Sequence, residues 1–146
     1  MYLSRSLPIL AAVIVAGPLS AQTPDVAPEV TSVVTGGYWE AGEVGGQYRL
    51  VVHSEGFEHV HSVHHLQWIV QRADSTAPEI LASVPLEELN EPFWVSNTDF
   101  ESRGGAPVFI LEQTNSYDLD NERVVEVYPG APSEYQLKVV GESRDL

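Results

Sequence analysis

The chain has no cysteine and only one methionine among its 146 residues. Disulfide staples, thiolate metal ligands, a cysteine nucleophile and a lipid-anchored lipoprotein are thereby excluded. Basic residues are also scarce: Lys and Arg number 7 against 21 Asp and Glu, for a formal net charge of −14. A field of that sign repels nucleic acid and anionic lipid, so neither is expected as a partner. It attracts cations and basic proteins instead. No Asn-x-Ser/Thr sequon, no Gly-x-Ser-x-Gly elbow and no glycine-rich phosphate loop ahead of a helix occurs. The Gly-Gly pairs at 36–37, 45–46 and 104–105 look like strand connections.

The longest apolar run lies at the N-terminus. Leu7 to Ala16, interrupted by Pro8, is far short of the ~20 residues that span a bilayer. Arg5 precedes it, Gly17-Pro18 breaks it, and Leu19-Ser20-Ala21 follows as a small-residue cleavage site. That order reads as a secretory signal peptide over 1–21. The expected product is exported, periplasmic or extracellular, and its freedom from cysteine suits a bacterial protein. Residues 22–29, with Pro24 and Pro28, read as an extended leader. Residues 30–146 are long enough for a single domain.

What remains is a series of short apolar or alternating runs punctuated by Gly, Pro, Asn and Asp. The expected strands are Val30–Thr35, Gln47–His53, Glu58–Arg72, Glu79–Val84, Phe93–Phe100, Val108–Gln113, Glu122–Tyr128 and Glu134–Val140. Tyr135, Leu137 and Val139 alternate with Glu134, Gln136 and Lys138, as in a half-buried strand. Val108 to Leu111 is apolar on both faces and predicts a central, doubly covered strand. Helical signal is confined to about one turn, Pro85 to Asn90, stopped by Pro92. The fold class is all-β: an antiparallel β-sandwich of about eight strands, immunoglobulin-like or jelly-roll in type, with little or no helix.

One local feature stands out. All 5 histidines lie between His53 and His65. Ser54-Glu55-Gly56 reads as a three-residue hairpin loop, with Gly56 in the left-handed position. Centring the turn on Glu55 pairs Leu50 with Val60, Val51 with His59, Arg49 with His61 and His53 with Phe57. Odd-numbered residues then share an outward face, and Tyr48, Leu50, Val52, Val60, Leu66, Trp68 and Val70 face the core. His64 falls on the core side. His53, His59 and His61, with His65 in reserve, become candidate ligands for Zn²⁺ or Cu²⁺. Arg49 on the same face opposes a cation there. In so acidic a chain the clustered histidines are also expected to hold protons more readily than free imidazole, giving a strand that responds to mild acid.

Gly-Phe-Glu-His-Val-His, residues 56 to 61, resembles a copper-ligand segment of the copper/zinc superoxide dismutases. That family also needs histidines further along the chain and a disulfide. Here no histidine follows His65 and no cysteine exists, so the resemblance implies no dismutase chemistry. Asp118, Asp120 and Glu122 resemble the opening of a calcium loop, but Arg123 and Pro129 stand where its glycine and closing glutamate belong. They read as a solvated turn. Trp39 and Trp94 are candidate sugar-stacking residues, against a core reading for both, and Trp68 is core. The leading expectation is a non-enzymatic binding or accessory module for an unknown protein or small ligand of the cell envelope. Its alternatives are a Zn/Cu-binding protein and a carbohydrate-binding module.

Overall fold

The computed structural model describes residues 26–90 and 92–142. The signal peptide expected over 1–21 and the first part of the leader lie outside the described residues. The end of the leader is a turn, closed by Val30 N donating to Ala27 O at 3.0 Å. Eight strands follow: β1 Val30–Ala41, β2 Val44–Glu55, β3 His61–Val70, β4 Glu79–Pro85, β5 Phe93–Arg103, β6 Ala106–Asn115, β7 Glu122–Pro129 and β8 Tyr135–Glu142. A 3-10 turn, Glu87–Leu89, joins β4 to β5. Among the described residues no helix is long and apolar enough to cross a membrane.

The strands form two four-stranded antiparallel sheets, β1-β2-β3-β4 and β5-β6-β7-β8. The sandwich expectation holds. Its connectivity differs from both types named for it, because each sheet is a simple meander. Immunoglobulin and jelly-roll sandwiches exchange strands between sheets through Greek-key links. Here the chain changes sheets once, through the segment holding Leu86 and Leu89, and both leucines are buried in the core.

The core lies between the sheets: Tyr48, Leu50, Val52, Leu66 and Trp68 from the first, Phe109, Leu111, Val125 and Val127 from the second. Burying each large apolar side chain contributes about 1.5–3 kcal/mol. The central-strand expectation for Val108–Leu111 holds for β6, which lies between β5 and β7. Its outward-facing Val108 is also fully buried, whereas Ile110 is only partly covered. Phe100 of β5 lies on Gly36 of β1, where a Cβ would meet the ring at 2.5 Å. That glycine lets one sheet approach the other.

The β2–β3 register differs from the expected one. Glu55 pairs with His61, and Tyr48, Leu50 and Val52 pair with Trp68, Leu66 and His64. The expected turn would have set Trp68 opposite Gly42, beyond the start of β2. The observed slip places the two aromatic rings in contact, 6.1 Å apart and edge to face. Large-residue burial outweighs a tighter turn. The slip spans an even number of residues, so the expected division of faces survives it within the paired strands; Val60, expected in the core, falls in the loop instead and is exposed.

Candidate functional site

The slip lengthens the β2–β3 connection to Gly56–Val60. Gly56 has φ 95°, and a Cβ there would meet His59 O at 2.6 Å, so only glycine fits. The next residue, Phe57, projects with 97% of its surface exposed. Ser54 N donates to Glu29 O at 2.8 Å and secures the base of the loop.

Beside it lies the β6–β7 connection, Ser116 to Asn121. It is closed by Asn115 N to Asn121 O and Asn121 N to Asp118 O, both at 2.9 Å. Tyr117 N also donates to Asn115 Oδ1 at 2.9 Å. The two loops come from different sheets and are joined directly. Ser116 Oγ donates to Val60 O. Ser116 N donates to Pro92 O at 2.9 Å. The His59 ring lies 4.2 Å from that of Tyr117, and Val95 N donates to Ser62 Oγ at 2.8 Å.

The result is one end of the sandwich with an apolar, partly aromatic surface. Phe57, Val60, Tyr117 and Leu119 are all exposed. Glu58, Val60, Trp94, Ser116 and Leu119 line an open groove of about 340 Å³. Glu55, Glu58, Asp118 and Asp120, all exposed, lie in or next to the same two loops, and neither loop contains a lysine or arginine. Contiguous exposed apolar surface rimmed by polar groups marks interaction sites.

Below this end a polar chain crosses the core. Arg123 Nε donates to Gln113 Oε1 at 2.8 Å, and Gln113 Nε2 lies 3.3 Å from His64 Nε2. The amide nitrogen can only donate, so His64 Nε2 accepts and the ring proton belongs on Nδ1. Asn90 lies against the same ring. Its Oδ1 and His64 Nδ1 are the complementary buried atoms left over from the chain. The Arg123 guanidinium stacks 3.7 Å above the Phe93 ring. Burial is the main force lowering the His64 pKa to about 4; Arg123 and His65 push the same way, and Asn90 opposes them. This network ties β3 to β6 and β7 and holds both loop bases on a fixed footing.

The candidate ligands do not converge as one set. His53 and His65 share the outer face, with ring centroids 5.5 Å apart. His61 Nε2 lies 3.8 Å from Glu55 Oε2. His59, expected opposite Val51, is instead in the loop against Tyr117. Among the described residues no group of three or more His, Cys, Asp or Glu is arranged to hold a metal ion. Burial, and then the His53 charge, lower the His65 pKa, while Glu55 raises it. Arg49, expected to oppose a cation, is turned to Gln67, with Nε donating to Oε1 at 2.7 Å.

Of the two stacking candidates, Trp39 is removed by burial. It is 3% exposed and its Nε1 donates to Gln47 O at 3.2 Å. A bulge between Gly36 and Trp39 reverses the facing of β1 and turns the indole inward, leaving Tyr38 exposed. Trp94 stays at the surface, in the groove wall. Sequence reasoning missed Phe57, Tyr117 and Leu119. The available signal was large apolar residues in turn-rich segments, Phe57 in one and Tyr117 and Leu119 in the other.

Comparison with known proteins finds no matching family model, no matching curated protein and no matching solved structure.

Proposed function

We propose that this chain is an exported, acidic, non-enzymatic binding module whose working surface is the loop end around Phe57. The observation that carries the reading is Phe57 itself, almost wholly exposed in the loop whose His59 and Val60 meet Tyr117 and Ser116 of the β6–β7 connection. An aromatic side chain held in water by a glycine-locked turn contributes nothing to the core. It becomes useful when a partner covers it. The partner that fits is a protein segment presenting apolar side chains among lysines or arginines. The apolar patch supplies the desolvated centre, and Glu55, Glu58, Asp118 and Asp120 supply a complementary rim. Export rests on the N-terminal segment read above.

The test is selection of random peptides on the purified protein, with counter-selection on a Phe57→Ala/Leu119→Ser variant. Basic peptides carrying aliphatic or aromatic residues should be enriched. Their affinity should fall at least about tenfold in the variant and weaken further with salt. Peptides that bind the variant equally well would overturn the reading. So would a glycan panel that quenches Trp94 fluorescence when no peptide does, or equal binding of Phe57 to zwitterionic vesicles.

A further inference from the structure

We infer that His53 and His65 form a two-histidine site for a divalent transition metal, Cu²⁺ in preference to Zn²⁺, on the outer face of the first sheet. The inference is independent of the loop-end reading, since it uses a different surface and a different ligand. His53 pairs with Val63 and His65 with Val51, so the two histidines are diagonal neighbours on adjacent strands. Their ring centroids are 5.5 Å apart, with planes at 82°.

That spacing suits chelation. An imidazole nitrogen binds such ions at about 2.0–2.1 Å, which places the ring centre roughly 3.2 Å from the metal. Two rings on one ion, separated by a ligand angle between about 90° and 120°, have centroids roughly 4.5–5.5 Å apart. The observed pair lies at the upper limit of that range. Chelation requires rotation about the side-chain bonds that turns one nitrogen of each ring toward the shared ion.

The surroundings permit it. Both rings are partly exposed, so water can complete the coordination shell. His65 Nδ1 is buried, so Nε2 is the nitrogen that takes a metal. Glu55 acts electrostatically on His65. It brings negative charge to the site, and its exposed side chain can move to add an oxygen. Arg49 is held by Gln67, a neutral partner that leaves its charge in place, so Glu55 has to supply the opposing charge. Two protein nitrogens plus water make an exchangeable site, and the divalent affinity order places Cu²⁺ above Zn²⁺.

The experiment is calorimetric titration of Cu²⁺, then Zn²⁺, into the full chain at pH 7.5, with copper EPR on the loaded protein. One Cu²⁺ should bind, with hyperfine structure from two imidazole nitrogens. His53→Ala and His65→Ala should each weaken it at least about tenfold by breaking the chelate. His59→Ala and His61→Ala should leave it within about twofold. Circular dichroism of each variant checks the fold, and the outward position of both rings favours its retention. Copper that binds equally to His53→Ala, that depends as much on His59 or His61, or that shows a single nitrogen would overturn the inference, as would the absence of binding.

Discussion

Tyr48 and Trp68 donate to the same acceptor: Tyr48 OH at 2.9 Å and Trp68 Nε1 at 3.1 Å from the carbonyl oxygen of Gly130. Both aromatics belong to the first sheet, and Gly130 begins the β7–β8 turn of the second. One carbonyl therefore fastens the sheets together at the end opposite the loop surface. The oxygen has two lone pairs, so it accepts both bonds and is left unpaired only when both donors are lost. Tyr48→Phe should cost about 1 kcal/mol. Adding Trp68→Phe should cost more than the two single changes combined, by on the order of 1 kcal/mol. A double-mutant cycle by urea denaturation measures that excess, and simple additivity would deny the shared acceptor.

The His64 ring makes stability sensitive to mild acid. Its folded pKa of about 4 lies below the ordinary 6.5, so the unfolded chain binds the proton more readily. The contribution is intact above pH 6.5 and is lost as pH falls toward 4. It amounts to about 3 kcal/mol by linkage. Denaturation of the protein and of His64→Gln at pH 7.5 and 4.5, in EDTA, isolates it. The gap between the two proteins should shrink by about that amount in acid, and an unchanged gap would show that the ring is solvated.

Ser133 has φ 71° in the turn closed by Gly130 N to Glu134 O, at 2.8 Å. A left-handed conformation strains any residue with a Cβ, while glycine is held back only by its greater freedom when unfolded. Ser133→Gly should therefore raise stability by up to about 1 kcal/mol. Thermal and urea midpoints would both move upward. A lower midpoint would mean that the serine side chain supports the turn.

Gly36→Ala should do the reverse. The new Cβ would meet the Phe100 ring at 2.5 Å, between the two sheets. Overpacking of this kind costs about 1–3 kcal/mol. Restoration of stability by Gly36→Ala combined with Phe100→Leu would confirm the steric cause, and failure of the second change to help would point elsewhere.

Phe57→Ser should leave stability within about 0.5 kcal/mol, because an exposed ring has no packing to lose. Equal denaturation midpoints with lost peptide binding would separate recognition from folding. A large drop in midpoint would mean that the ring packs in solution.

The sequence alone determined the strand inventory. Alternation such as Tyr135-Gln136-Leu137-Lys138 and turn residues between the runs are local signals, and each of the eight expected strands overlaps an observed one. The assignment of histidines to faces was also local, since side-chain period survives any even slip of register. His64 was therefore expected inward, and it is buried. Tertiary structure decided where the strands stop and which side chains meet. Trp68 packing on Tyr48 set the β2–β3 register, sent His59 to the loop tip and separated it from His53. The bulge ahead of Trp39 inverted a face that strict alternation would have kept. The loop surface exists because Ser116, in a loop of the second sheet, bonds to Val60, in a loop of the first, a contact between residues distant in sequence. Periodicity reports a residue's own strand, whereas register, bulges and contacts between sheets follow from competition for one shared core.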